Sequence, residues 1–331
     1  MQPHLNKKIN IGNIHIINPI LLAPMEGITD LPFRLLCKEF GADIVYTEFA
    51  SSEALIRNVP QTLKKTQIDD KERPVGIQIF GNCPERMSIA AKIAEDKGAD
   101  IVDLNYGCWV KKVVNNDSGS ALMKHPELMA EITNKCAEAV KIPVTIKTRL
   151  GWDLDTINIF EIAKMQEEAG AKAITVHCRT RSQKITGLAD WSYIPHIKQN
   201  ITIPLILNGD INSPDSCLNA MNTAGADGIM IGRSTLGNPF IFKQGKEIIN
   251  TGTYSEPSIK DNIACCIRHL ELNIEIKGER GLIEFRKHYS GYLKGMYNAS
   301  EFRQKLVISE NIDEIKNILW NYYDFLENSI T

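Results

Sequence analysis

The chain of 331 residues is 43% hydrophobic and 24% charged, which excludes a disordered tail or a collagen-like repeat and describes a globular protein with a large core. Its 38 Lys and Arg against 40 Asp and Glu give a net charge of −2, so a polyanion would have to be met by a local patch. No apolar run approaches the roughly 18 residues of a membrane span, the start is polar, and eight scattered cysteines show neither a Cys-x-x-Cys pair nor zinc spacing; these features predict a cytoplasmic protein with reduced thiols, no membrane segment and no metal.

Eight short apolar runs fit buried parallel strands: Pro19–Ala23, Asp43–Thr47, Val75–Phe80, Asp100–Asn105, Pro143–Thr148, Lys172–His177, Pro204–Asn208 and Asp227–Ile231. Helix-like stretches separate them. Pro84 opens one over 85–97 that Gly98 stops, and another begins at Asp155 and ends near Gly170. Three strands follow the same phrase, Gly98-Ala99, Gly170-Ala171 and Gly225-Ala226, in which glycine supplies a left-handed turn past a helix end. Eight strand-helix units satisfy the closure count of a (β/α)8 TIM barrel over residues 1–245, whereas a doubly wound open sheet needs fewer. The interval from the fourth strand run to the fifth is 43 residues against 23 to 32 elsewhere, and the excess falls in Tyr106–Ser120. Long connections in compact domains are more often functional than idle.

Beyond Phe242 the pattern changes. Residues 250–257 read as a linker, and 256–331 reads as a small all-helical C-terminal domain, with Ile263, Cys266, Ile267, Leu270 and Ile274 at helical spacing. Residues 277–305 hold seven Lys and Arg against three Glu, a local +4, interleaved with Tyr289, Tyr292 and Tyr297. A solvated face over core tyrosines is one reading and an RNA-facing patch the other.

Barrels of this kind build their active site at the carboxyl ends of the strands. Pro24-Met25-Glu26-Gly27 follow strand one, Gln78 lies in strand three, Lys147 ends strand five and His177 ends strand six; singly, each also fits a satisfied core group. Asn208-Gly209-Asp210 and Gly232-Arg233 end strands seven and eight, where such barrels bind phosphate, so a phosphorylated cofactor is expected. A lysine and a histidine in the mouth suit flavin mononucleotide, because a cation such as Lys147 stabilises charge on the reduced ring where water is excluded; a Schiff-base lysine is the rival. Cys108, on the loop leaving strand four, can project over a substrate while Lys111 and Lys112 attract an anion.

Taken together, Leu22–Arg34, Gln78–Gly81, Asp103–Cys108, Ile146–Gly151, Val176–Arg181, Ala189–Trp191, Asn208–Asp210, Gly232-Arg233 and Phe285–Tyr289 resemble the tRNA-dihydrouridine synthase family, bacterial flavoenzymes that reduce uridine in tRNA to 5,6-dihydrouridine. The resemblance implies FMN contacts from Pro24, Met25, Glu26, Gln78, Lys147, His177, Asn208, Gly209, Asp210, Gly232 and Arg233, and NADPH as the electron donor. Cys108 would be the general acid, Asn105 would help hold the uracil, and Arg179, Arg181, Arg286 and Lys287 would lie near the RNA. Trp109 stands where the family usually has proline and Cys178 where it commonly has glycine. A monomer is expected. A small-molecule FMN reductase of the dihydroorotate dehydrogenase type and a non-catalytic RNA-binding protein are the alternatives.

Overall fold

The computed structural model describes residues 5–222 and 224–330. Its centre is a cylinder of eight parallel strands: β1 (Ile20–Leu22), β2 (Val45–Tyr46), β3 (Val75–Phe80), β4 (Ile101–Asn105), β5 (Val144–Arg149), β6 (Ile174–His177), β7 (Leu205–Asn208) and β8 (Gly228–Ile231). Each pairs with its sequence neighbour from β2 to β8, and β8 pairs with β1. The seam between β1 and β2 is bridged by backbone bonds from Leu22 N to Ile44 O and from Asp43 N to Ile20 O, both 2.9 Å. The Asp43–Thr47 run is thus divided between two partners, its first half bonding β1 and its second half β3, so only two residues form a regular strand.

Strands flanked by helices outside and a packed interior must be apolar on both faces, and β4, β7 and β8 are buried along their whole length. Leu21, Tyr46, Ile101, Ala173, Ile206 and Met230 fill the interior. Ile9 and Ile11 of an antiparallel hairpin, Lys8–Ile11 with Ile14–Ile17, join that cluster, and the turn at Gly12 lies against Pro143 just before β5, so the hairpin plugs the amino end. The carboxyl end is left for the site.

Outside lie α1 (Leu31–Glu39), α2 (Pro84–Asp96), α3 (Pro126–Ala139), α4 (Ile159–Glu168), α5 (Tyr193–Lys198), α6 (Pro214–Asn222) and α7 (Phe240–Thr251). Gly98, Gly170 and Gly225 all take positive φ, as the repeated phrase requires. α4 starts four residues later than Asp155, because Gly151 and Ile157 form a β-bridge that holds the intervening chain as a loop. The rest of the chain is helical: α8 (Ile259–Lys277), opened by a Ser258/Asp261 capping box, then α9 (Glu279–Phe285), short turns through Tyr292, α10 (Ala299–Ile308) and α11 (Ile312–Ile330). α8 lies along α1, with the Phe33 and His269 rings 5.3 Å apart and Arg268 paired to Glu39 at 2.5 Å.

Candidate active site

A cavity of about 570 Å³ opens at the carboxyl ends of the strands, inside the range of cofactor sites. Its wall gathers Pro24, Met25, Glu26, Asn105, Cys108, Lys147, His177, Asn208, Gly209, Asp210, Gly232 and Arg233 from the ends of six strands and the loops that follow them. Strand register explains the convergence: Asn105 is level with Lys147, Arg149 with His177, and His177 with Asn208.

The floor is a chain of side-chain hydrogen bonds. Asp103 accepts from Thr145 Oγ1 at 2.6 Å and from Gln78 Nε2 at 2.6 Å, Gln78 Oε1 accepts from Asn105 Nδ2 at 2.8 Å, and Asn105 Oδ1 accepts the backbone N–H groups of Gly107 and Cys108 at 3.1 and 2.9 Å. Burial raises the Asp103 carboxyl to about 6, partly offset by these donors. Gln78 is fully buried in this chain and does not reach the cavity surface; it orients Asn105, and Asn105 in turn fixes the first turn of the Cys108 loop.

Cys108 is half-buried on the cavity wall. Burial pushes its thiol above the usual range, against smaller opposing pulls from a backbone hydrogen bond at Val110 and from Arg149, so it keeps its proton at neutral pH. The loop is tied further by Arg149, whose Nε donates to Gly107 O at 2.9 Å and whose Nη1 donates to Thr180 O and Lys184 O at 3.0 and 2.8 Å. Lys147 donates to Asn208 Oδ1 at 3.0 Å, and burial, with Arg149 nearby, lowers its ammonium to about 8. His177 is held neutral, well below the ordinary imidazole value, by burial and by Arg149, Lys147, Arg179 and Arg233.

At the far edge Gly209 has φ +116°, and a Cβ there would stand 2.9 Å from both Ala189 Cβ and the His177 ring. Only glycine lets the chain pass so close. Asp210 is kept below the usual carboxylate range: burial raises it, but Arg179 Nη2, at 2.6 to 2.7 Å from both oxygens, and the Ala189 N–H outweigh that. Arg179 also donates to Thr186 O and Gly187 O and is 2% exposed, which places it beneath its loop with its donors engaged inside the fold. Arg181 lies 4.2 Å over the Trp152 ring. Arg233 faces the cavity, 3.7 Å from Asp210 and more than half exposed.

Of the basic C-terminal stretch, Lys277 is buried between Asp30 at 2.5 Å and Glu284 at 2.9 Å, Lys287 bonds Gly27 O, and Arg286 faces Glu310 at 3.8 Å. Tyr289 and Tyr292 are core residues, and Tyr297 is exposed. Arg149 and Phe49 were not singled out from sequence, although both line the cavity. The period-2 alternation of β5, which turns Lys147 and Arg149 to the same side, is the signal that would have found Arg149. Among the described residues no cluster could hold a metal ion, and no helix is long and apolar enough to cross a membrane.

The architecture defines a (β/α)8 barrel whose strand-end residues wall a cavity of mixed polar and apolar lining, with a helical C-terminal region packed beside it. The chain belongs to the dihydrouridine synthase family, whose model matches residues 21–327. It is 42% identical over 318 residues to "Probable tRNA-dihydrouridine synthase" of Rickettsia conorii, covering 95% of this chain and 96% of that protein. It is 38% identical over 298 residues to tRNA-dihydrouridine synthase B of Pasteurella multocida, covering 89% and 90%. Among solved structures, histamine dehydrogenase from Rhizobium sp. 4-9 superposes with a TM-score of 0.60 at 14% identity over 82% of this chain, which spans about half of that longer protein (51%). An old yellow enzyme homologue from Zymomonas mobilis gives 0.52 at 13% identity, covering 78% and 96%. These two likenesses establish the barrel.

Proposed function

We propose that this protein reduces uridine in tRNA to 5,6-dihydrouridine, with FMN as cofactor and NADPH as reductant. One observation carries the reading: a single cavity joins a protonated thiol, a half-buried lysine and a glycine-lined edge at the ends of β7 and β8. The residues fit FMN. Gly209 and Gly232 line that edge and place no side chain over its backbone, as a phosphate cradle needs, Arg233 offers a bidentate donor there, and Lys147 would hold charge on the ring. Bound and reduced, FMN supplies the hydride that C6 of uracil accepts.

The chain's own residues do the rest. C5 then needs a proton, which Cys108 holds at Sγ because its surroundings disfavour the thiolate. Asn105 and Arg149 fix the Cys108 loop from two sides through Gly107 and Cys108 backbone atoms, so the proton stands in one place. Asn105 keeps one Nδ2 hydrogen beyond its bond to Gln78 for a uracil oxygen. Reaching the base requires its extrusion from folded RNA, and Arg181 with the helical region, including Arg286 and Lys287, would meet the strand.

The purified protein is expected to be yellow, to bleach with NADPH and to be reoxidised by unmodified tRNA with formation of dihydrouridine. Cys108→Ala should retain flavin and NADPH bleaching but lose about 10²-fold or more in product formation. A protein that reduces free uridine or orotate as fast as RNA, or a fully active Cys108→Ala variant, overturns the proposal.

A further inference from the structure

Among the described residues, one wall residue of the cavity comes from outside the barrel. Lys294, which follows the short helical turn 289–292, lines it together with Glu26 and Arg233, although more than 260 residues separate Lys294 from Glu26 in the chain. Its position is fixed by backbone packing. Gly237, at the end of the loop after β8, lies so close to Gly291 that a Cβ on Gly237 would stand 2.1 Å from Gly291 C and 2.5 Å from Tyr292 N. On the other side Lys287 bonds Gly27 O and Lys277 pairs with Asp30, tying the helical region to the loop after β1. The strands β1 and β8 are neighbours, so the helical region straddles two adjacent cavity loops and holds Lys294 over the gap between them.

Charge makes the placement specific. Within 277–305, Lys277, Arg280, Arg286 and Lys305 each have a carboxylate within 4 Å and Lys287 bonds a carbonyl, while Arg303 is without an ion pair among the described residues but lies away from the cavity wall. Lys294 is exposed at the mouth and has no ion pair among the described residues. A cation left unpaired at the entrance, on a segment pinned by two glycine backbones, suits a phosphate that arrives with the substrate.

We propose that Lys294 is a positioning residue that binds a phosphodiester of the RNA strand beside the extruded uridine, so that the helical region completes the active site as well as docking the RNA. The inference rests on the reading of RNA as substrate and deepens it. Lys294 touches the strand next to the reacting base, not the reacting atoms.

The test compares the wild type with Lys294→Ala, Lys294→Arg and, as a control of equal charge change on the outer face of the barrel, Lys164→Ala. Dihydrouridine formation in unmodified tRNA, FMN affinity and the salt dependence of tRNA binding are measured on each flavin-loaded protein. Lys294→Ala should raise KM for tRNA about tenfold with kcat little changed, as expected for loss of one charge-assisted bond. It should flatten the slope of log K against log salt by about 0.7 to 1. Lys294→Arg should restore both, and Lys164→Ala should alter neither. An unchanged KM and salt slope in Lys294→Ala, or a loss confined to FMN affinity, which would make the cofactor phosphate its ligand, overturns the inference. A wild type that makes no dihydrouridine refutes the proposed function itself and is seen before any variant is compared.

Discussion

The contact between Gly237 and Gly291 makes a sharp prediction about how the helical region is held. Gly237 has φ +70°, a conformation that costs a residue with a Cβ roughly 1 to 2 kcal/mol. Its Cβ would also stand 2.1 Å from a carbonyl carbon, about 1.4 Å inside the ~3.5 Å at which carbon atoms pack. Backbone cannot rotate out of the way as a side chain can, so the turn 289–292 would have to lift off the loop after β8, at a further cost of about 1 to 3 kcal/mol. Gly237→Ala should therefore lose roughly 2 to 5 kcal/mol in urea unfolding. Protease sensitivity should appear near 252–258, between α7 and α8. Gly291→Ala is the internal comparison: its Cβ meets Leu236 and Gly237 atoms at 3.1 Å, and its backbone is helical, where alanine is favoured. Its loss should be much smaller. Equal effects of the two substitutions, or a Gly237→Ala protein as stable and protease-resistant as the parent, would refute the reasoning.

Two further predictions concern protons. Lys147 titrates near 8, so affinity for FMN should fall as pH rises through 8 and should become flat in that range in Lys147→Met, as read by flavin fluorescence titration. Burial lowers this ammonium, so its folding penalty is relieved over the same range, stability rises with pH there, and unfolding cannot account for the lost affinity. Asp103 behaves in the opposite sense: its folded value near 6 lies above the ordinary 3.8 of an aspartate, so its contribution to stability is present below about pH 4 and lost as pH rises through 6. The stability difference between the wild type and Asp103→Asn should shift by about 2 to 3 kcal/mol between pH 4 and 6.5, and an unchanged difference contradicts the assignment. Asp103→Asn also sets an amide nitrogen against the donors of Gln78 or Thr145, which should loosen Asn105 and slow product formation at constant flavin content.

The barrel was legible because its strands are buried on both faces and announce themselves as apolar runs, and because glycine after a helix has one structural use that repeats at 98, 170 and 225. β2 was less legible: its run is shared between two neighbours across the seam, a property of closure that no local pattern carries. The convergence of Lys147, His177, Asn208 and Cys108 could be read from strand ends alone. The working arrangement of charge could not, since it depends on partners far away in the chain. Lys277 counts toward a +4 stretch in sequence, yet Asp30, 247 residues earlier, neutralises it. Arg179 looks like a surface arginine until Asp210 is brought against it, and nothing local shows that the Gln78 amide joins Asp103 to Asn105.

The pinned segment also bears on the order in which the molecule becomes competent during synthesis. All eight staves of the cylinder have been translated by residue 231, yet the rim stays unfinished until the turn carrying Lys294 has left the ribosome and settled beside Gly237. A nascent chain paused between those points would own its thiol and its floor but would have a breach in the doorway, so the last quarter of the polypeptide acts as the keystone of an arch whose stones were laid long before.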